Sequence, residues 1–130
     1  MIIEIADLRP AFCAECAERL QRAEAVLRER QGALTAKDYD RLYQEFDSLF
    51  GGARAAGIPE LELLFRSMAA YVRWLKRRGP AGISERRREL IAAGIALGRK
   101  CGGAWSDCLR CCPDQINTFT DEMNTVMAEE

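Results

Sequence analysis

Six cysteines are the residues of this chain best suited to chemistry, and they fall into two groups separated by a long segment without cysteine. Cys13 and Cys16 form one CxxC pair, and Cys108 and Cys111 form a second pair near the other end. This spacing lets neighbouring thiolates bind one tetrahedral Zn²⁺ or an iron–sulfur cluster. Because the sequence contains no histidine, such a site would be all-thiolate.

Three interpretations of the cysteines stay open at the level of sequence. Four of them bind a metal or cluster, with Cys101 and Cys112 as additional or substitute ligands. Alternatively, the two groups form disulfides with each other as a redox switch or through oxidation. In the third interpretation they are small buried hydrophobic residues, since Cys13, Cys16 and Cys101 all fall on apolar helix stripes.

Helical periodicity runs through the chain and determines where the cysteines must lie. Apolar residues at three- and four-residue spacing predict five helices and no strand. The helices are expected to begin near Asp7, Thr35, Pro59, Ser84 and Pro113. We therefore predict an all-α, up-down-up-down four-helix bundle over about 7–101, followed over 102–130 by a cysteine-rich turn and an additional C-terminal helix. In that topology the two cysteine groups meet at one end of the bundle.

The composition fits one globular domain. Hydrophobic residues make up 48% and charged residues 30% of the 130-residue chain, which argues against disorder. A net charge of −1 gives no overall attraction to nucleic acid or to an anionic membrane. We find no apolar run of membrane-spanning length and no basic leader, so we expect a cytoplasmic protein without nucleic-acid or membrane partners.

Two adjacent glycines lie inside the second predicted helix, where each costs on the order of 1 kcal/mol relative to alanine. Asp47 lies one turn before Gly51, just outside the apolar stripe that includes Phe46. Close approach of another backbone or domain is the usual reason for such glycines. The stretch from Phe46 to Gly57 is therefore a candidate interaction surface.

This stretch resembles the histidine phosphotransfer (Hpt) domain of chemotaxis-type histidine kinases. In that family a mid-helix His is followed three residues later by Lys and four later by Gly, with a second Gly before a Pro/Glu/Leu-type helix start. Asp47 stands at the His position, Phe50 at the Lys position, and Gly51 and Gly57 at the two glycines. The resemblance extends to the preceding and following helices and implies the same four-helix bundle.

The resemblance implies a docking surface without phosphotransfer. In the family, the exposed His and the adjacent Gly let a receiver domain dock, but this chain has no His, so phosphohistidine chemistry is excluded. We expect a non-enzymatic adaptor in two-component signalling that binds a response-regulator receiver domain or a histidine kinase. The partner-binding residues would be Asp47, Phe50, Gly51 and Arg54, with the Asp47 charge imitating part of a phosphohistidine. The alternative function is a metal- or redox-responsive helical bundle.

Two basic triplets, at residues 76–78 and 86–88, bracket the loop predicted between the third and fourth helices. They would make the end of the bundle opposite the cysteines basic. Because no aromatic interleaving or nucleic-acid motif accompanies them, we expect solvated helix ends. No nucleophile elbow, phosphate loop or carboxylate pair indicates catalysis.

Overall fold

The computed structural model describes residues 8–30, 32–78, 85–102 and 113–129. These residues form five α-helices and no strand, which confirms the prediction of an all-α protein. The helices are α1 (Arg9–Glu29), α2 (Ala36–Ala56), α3 (Pro59–Arg78), α4 (Glu85–Gly102) and α5 (Pro113–Glu129). The loop predicted between the third and fourth helices, with Ser84, and the cysteine-rich turn before the fifth helix lie outside the described residues. In the described part, no helix combines the length and apolarity needed to cross a bilayer.

Local signals in the sequence set both ends of α2. Thr35, where the helix was expected to begin, forms a capping box with Asp38: the Asp38 N–H donates to Thr35 Oγ1 (3.2 Å), and the Thr35 N–H donates to Asp38 Oδ2 (2.9 Å). At the other end Gly57 takes a left-handed conformation with φ of 73°, which glycine adopts without steric cost. The chain then restarts after one residue, since Pro59 opens α3.

Consecutive helices run antiparallel. The Phe12 ring packs at Gly52, and Arg30 pairs with Asp38 at 2.9 Å, so opposite ends of α1 and α2 meet. Between α2 and α3, Lys76 pairs with Asp40 at 2.6 Å at the end of the bundle remote from Gly57. The helices α1 to α4 form a closed ring of neighbours because α4 contacts both α3 and α1, and α5 packs on α3 and α4.

Glycines let α4 approach its neighbours closely. A Cβ atom at Gly98 would lie 3.1 Å from both Leu20 of α1 and Phe65 of α3, and one at Gly94 would lie 2.7 Å from Met68 Cε. These positions are one turn apart on the buried stripe of α4. The close packing of α4 therefore depends on the absence of side chains along this stripe.

The core agrees with the apolar stripes predicted from the sequence. The apolar residues that give α3 and α5 their three- and four-residue spacing are buried: Leu61, Leu64, Phe65, Met68, Val72, Leu75, Ile116, Phe119, Met123 and Val126. The fifth helix thus completes the hydrophobic core by covering α3 and α4.

The second basic triplet differs from its prediction as a solvated helix end. Arg87 is only 7% exposed, and its guanidinium carbon lies 5.8 Å from the centre of the Trp74 ring. Arg88 donates from Nη1 to the Leu27 carbonyl at 2.6 Å and from Nη2 to the Gly32 carbonyl. The prediction was wrong for Arg87 and Arg88 because both side chains turn into contacts between helices.

Candidate functional site

The surface that carries Asp47 is the outer side of α2 near its C-terminal half. Phe46, Leu49 and Ala53 are buried and anchor this part of the helix to the core. The four predicted partner-binding residues follow them at helical spacing. Asp47, Gly51 and Arg54 are exposed, whereas Phe50 is half-buried against the core. We call these four residues the α2 face.

The two adjacent glycines of α2 have different surroundings. A Cβ atom at Gly52 would lie 2.9 Å from Cδ2 of Phe12, so close packing of α1 accounts for this glycine. A Cβ atom at Gly51 would meet no heavy atom within 4 Å. Packing against the described residues therefore explains Gly52 but gives no reason for Gly51.

Asp47 presents its charge to solvent. Its carboxylate makes no ion pair or hydrogen bond with any residue in the described ranges. Arg54 pairs with Glu62 at 3.8 Å, but its side chain is 74% exposed, so this contact restrains it little. The α2 face thus combines one negative and one positive group with an open backbone position between them.

A groove runs along α2 and α3 beside this face, and Met127 of α5 also lines part of it. It consists of two adjoining cavities of about 420 and 360 Å³ that share Tyr43, Arg73 and Arg77. Asp47 and Phe50 line the larger cavity. We call the two cavities together the α2–α3 groove.

The walls of the groove are aromatic and cationic. The aromatic and cationic residues that line the larger cavity are Tyr43, Phe50, Arg66, Arg73, Trp74 and Arg77. Sequence reasoning missed this site, although the arginines on α3 follow seven- and four-residue spacing and so share one helix face. The signal became visible only once the neighbouring face of α2 was known.

Cys16 and Cys101 both lie at the end of the bundle where α1 begins and α4 ends. Cys16 is buried, and a Cβ atom at Gly102 would lie 2.7 Å from Cys16 Sγ. The neighbouring Cys101 is buried and disulfide-bonded. Cys13 is half-buried on α1. The carboxyl end of α4 thus meets the first CxxC pair, as the topology requires.

The described residues include one of the two CxxC pairs of the predicted metal site. Cys13 and Cys16 belong to the described residues, whereas Cys108, Cys111 and Cys112 lie outside them. Within the described ranges, no three cysteine, aspartate or glutamate side chains are grouped so as to hold a metal ion. Since Cys101 is disulfide-bonded, its sulfur is not a thiolate ligand in this state.

Comparisons of the chain with protein-family models, with curated proteins and with solved structures find no match. The geometry of the α2 face, the α2–α3 groove and the cysteine end is therefore the basis for assigning a function.

Proposed function

We propose that the chain is a non-catalytic, Hpt-like docking module that binds a receiver domain or kinase partner in a two-component pathway through the α2 face. The absence of histidine from the sequence rules out phosphohistidine formation. Binding without phosphate transfer is the role that the four-helix arrangement and the Asp47–Gly51 pair support.

The observation that carries this proposal is the open position at Gly51. Glycine in a helix interior costs about 1 kcal/mol relative to alanine, and no neighbouring atom in the described residues requires it here. A partner that packs against the helix backbone would require it, because any side chain at residue 51 would hold that partner away. The exposed Asp47 carboxylate lies one turn earlier and supplies a charge for the same contact.

The test is a binding measurement with the full chain immobilised and a panel of purified receiver and histidine kinase domains from the organism that encodes it, read by surface plasmon resonance. We expect one receiver to bind with a dissociation constant in the micromolar range and Gly51→Trp to weaken it about tenfold or more. Asp47→Asn should weaken binding less, and more strongly at low salt.

Ala96→Trp serves as the matched control, since Ala96 is exposed on α4, away from the α2 face. It adds the same side chain and should leave binding unchanged. Failure of every receiver and kinase domain to bind, or equal losses for Gly51→Trp and Ala96→Trp, would contradict the proposal.

A second candidate function, a redox-responsive bundle, is favoured by the cysteine end. Cys16 lies against Gly102, which is the chain neighbour of the disulfide-bonded Cys101. The disulfide is therefore close to the contact between α1 and α4. Reduction of that disulfide by a dithiol yields two thiols and removes a covalent restraint on α4. The stability of the α1–α4 contact would then depend on redox state.

Thermal unfolding of the full chain with and without a dithiol reductant tests this function, with thiol counting by alkylation and mass spectrometry. We expect reduction to lower the midpoint and to expose more alkylatable thiols. Elemental analysis of anaerobically purified protein separates the metal interpretation, because near-stoichiometric zinc or iron would assign thiolates to a metal. If Cys101→Ser changed neither the midpoint nor its response to reductant, the redox function would fail.

A further inference from the structure

The cationic side chains of the α2–α3 groove are only partly neutralised. Arg66 and Arg77 line it, and neither forms an ion pair or hydrogen bond with any residue that the structure describes. Arg73 also forms no ion pair with any of the described residues. Among the described residues that line the larger cavity, Asp47 is the single carboxylate, against the three guanidinium groups of the arginines. The cavity therefore carries an excess of positive charge.

The smaller cavity adds little to this excess. Lys76 lines it, but its ammonium group lies 2.6 Å from Asp40 Oδ1, and both side chains belong to the same cavity. The unneutralised charge therefore lies where the two cavities join and in the larger one. An anion would be attracted to the stretch between Arg66 and Arg77, which spans three turns of α3.

The aromatic walls are held in place by contacts of their own. The Arg73 guanidinium lies 5.5 Å from the centre of the Tyr43 ring, which joins α3 to α2 across the groove. The Trp74 ring stacks on Tyr71 at 6.0 Å, and the Arg78 guanidinium lies 4.4 Å from its centre. These contacts fix flat apolar surfaces beside the arginines before any ligand arrives, which lowers the cost of binding.

From this geometry we infer that the α2–α3 groove is a binding site for a small organic anion with a flat apolar body, such as an aromatic carboxylate, sulfonate or phosphate ester. Arg66 or Arg77, which lie about three turns apart on α3, would bind the anionic group, and the body would lie against Tyr43 and Trp74. The cavity volumes fall in the range of small-molecule sites, which combine apolar walls with a few charged groups. This inference does not depend on receiver docking.

The probe for this site is 8-anilinonaphthalene-1-sulfonate, whose fluorescence rises in an apolar environment. The measurement uses the full chain with the substitution Trp105→Phe. Of the two tryptophans in the sequence, only Trp74 then remains. We expect saturable binding of one probe per chain, with quenching of Trp74. The neutral counterpart N-phenyl-1-naphthylamine should bind about tenfold more weakly, because it lacks the sulfonate.

Charge-removing variants locate the probe. Arg66→Gln together with Arg77→Gln should weaken sulfonate binding about tenfold and leave the neutral counterpart unaffected. The matched control is Arg28→Gln, which removes an exposed arginine of α1 outside this groove. Ala70→Glu gives a second route, since it adds a carboxylate at an exposed helical position of the groove without removing a native contact. Ala96→Glu is its control on α4.

Each outcome decides the inference. Equal weakening by Arg28→Gln, or an unchanged affinity in both Ala70→Glu and the double variant, would overturn it. Equal affinity for the charged and neutral probes would also overturn it, because the groove would then be merely apolar. Poly-glutamate and 1-naphthalenesulfonate are compared as competitors of the probe at equal concentrations of anionic groups. If poly-glutamate displaced the probe more effectively, the site would bind an acidic polypeptide instead, and the inference would be overturned. If a variant that no longer binds the probe still bound a receiver domain, the groove site and the α2 face would be functionally separate.

Discussion

Gly51 and Gly52 are chain neighbours on α2, yet stability measurements should separate them. Gly51→Ala fills open space and gains helix propensity, so we expect the free energy of unfolding to rise by about 1 kcal/mol. Gly52→Ala places a methyl group 2.9 Å from the Phe12 ring, so we expect a loss of about 1–3 kcal/mol, partly offset by the same gain in propensity. Urea denaturation followed by circular dichroism measures both changes.

The comparison is internally controlled because the two variants add the same methyl group to adjacent positions of one helix. A stabilising Gly51→Ala that weakened receiver binding would mean that the glycine serves the partner at the expense of the fold. A destabilising Gly51→Ala would place an unrecognised contact at this position and would contradict its open surroundings.

Single residues also explain why the exposure of one group of side chains was predictable and the burial of another was not. Asp47 and Gly51 are a turn apart, and their exposure follows from the position of Phe46 and Leu49 on the buried stripe. Arg87 had no such signal. Its burial depends on the Trp74 ring of another helix, and an arginine triplet at a helix end is usually solvated.

At the scale of helices, the capping box at the start of α2 should make stability depend on pH. Burial disfavours the ionised form of Asp38, but the Thr35 N–H and the Arg30 guanidinium outweigh it and hold the pKa of Asp38 below its ordinary value. Because the folded pKa is lower than the unfolded one, ionised Asp38 stabilises the fold fully above the unfolded value, near 4. This contribution is lost as the pH falls through the folded value.

We therefore predict that Asp38→Asn lowers the free energy of unfolding at pH 7 and that the difference from the unchanged chain shrinks below about pH 4. Thr35→Ala, which removes the hydroxyl acceptor of the same box, should cost about 1 kcal/mol at all these pH values. Urea denaturation between about pH 3 and 7, a range that includes the titration of an ordinary carboxyl group, measures the unfolding free energies of both variants. A deficit of Asp38→Asn that stayed constant with pH would mean that its ionisation does not support the helix.

Helix boundaries were predictable because their signals are local. The capping box, the left-handed Gly57 and the helix-opening Pro59 act within a few residues of each other. The α2–α3 groove was not predictable in the same way. It requires the register of Tyr43 against Arg73 across two helices, and core packing rather than local sequence sets that register.

At the scale of the whole molecule, Arg88 joins the turn after α1 to α4. Its two hydrogen bonds reach the carbonyls of Leu27 and Gly32. We predict that Arg88→Met lowers the free energy of unfolding by about 1–2 kcal/mol, because charge-assisted hydrogen bonds are lost while the apolar stem is kept. The shift of the urea midpoint measures the loss.

Arg22→Met is the control for this prediction. Arg22 pairs with Glu45 at 3.3 Å on the surface, where ion pairs contribute little, so its loss should stay within about 0.5 kcal/mol. Equal losses of unfolding free energy for the two variants would mean that the Arg88 contacts contribute no more to stability than a surface ion pair.

The sequence separation between contacting residues predicts the order in which the helices assemble. Only Gly57 and Ile58 separate α2 from α3, so this helical hairpin closes a very short loop. The α1–α4 contacts instead join residues such as Leu27 and Arg88, 61 positions apart, and closing that larger loop costs more entropy. We expect the α2–α3 hairpin to be structured in the folding transition state and α4 to dock on α1 later. Cys16 would then pack against the carboxyl end of α4 only as the last helices dock, which leaves the newly made chain a period in which oxidants and metals can still reach the sulfurs of Cys16 and Cys101.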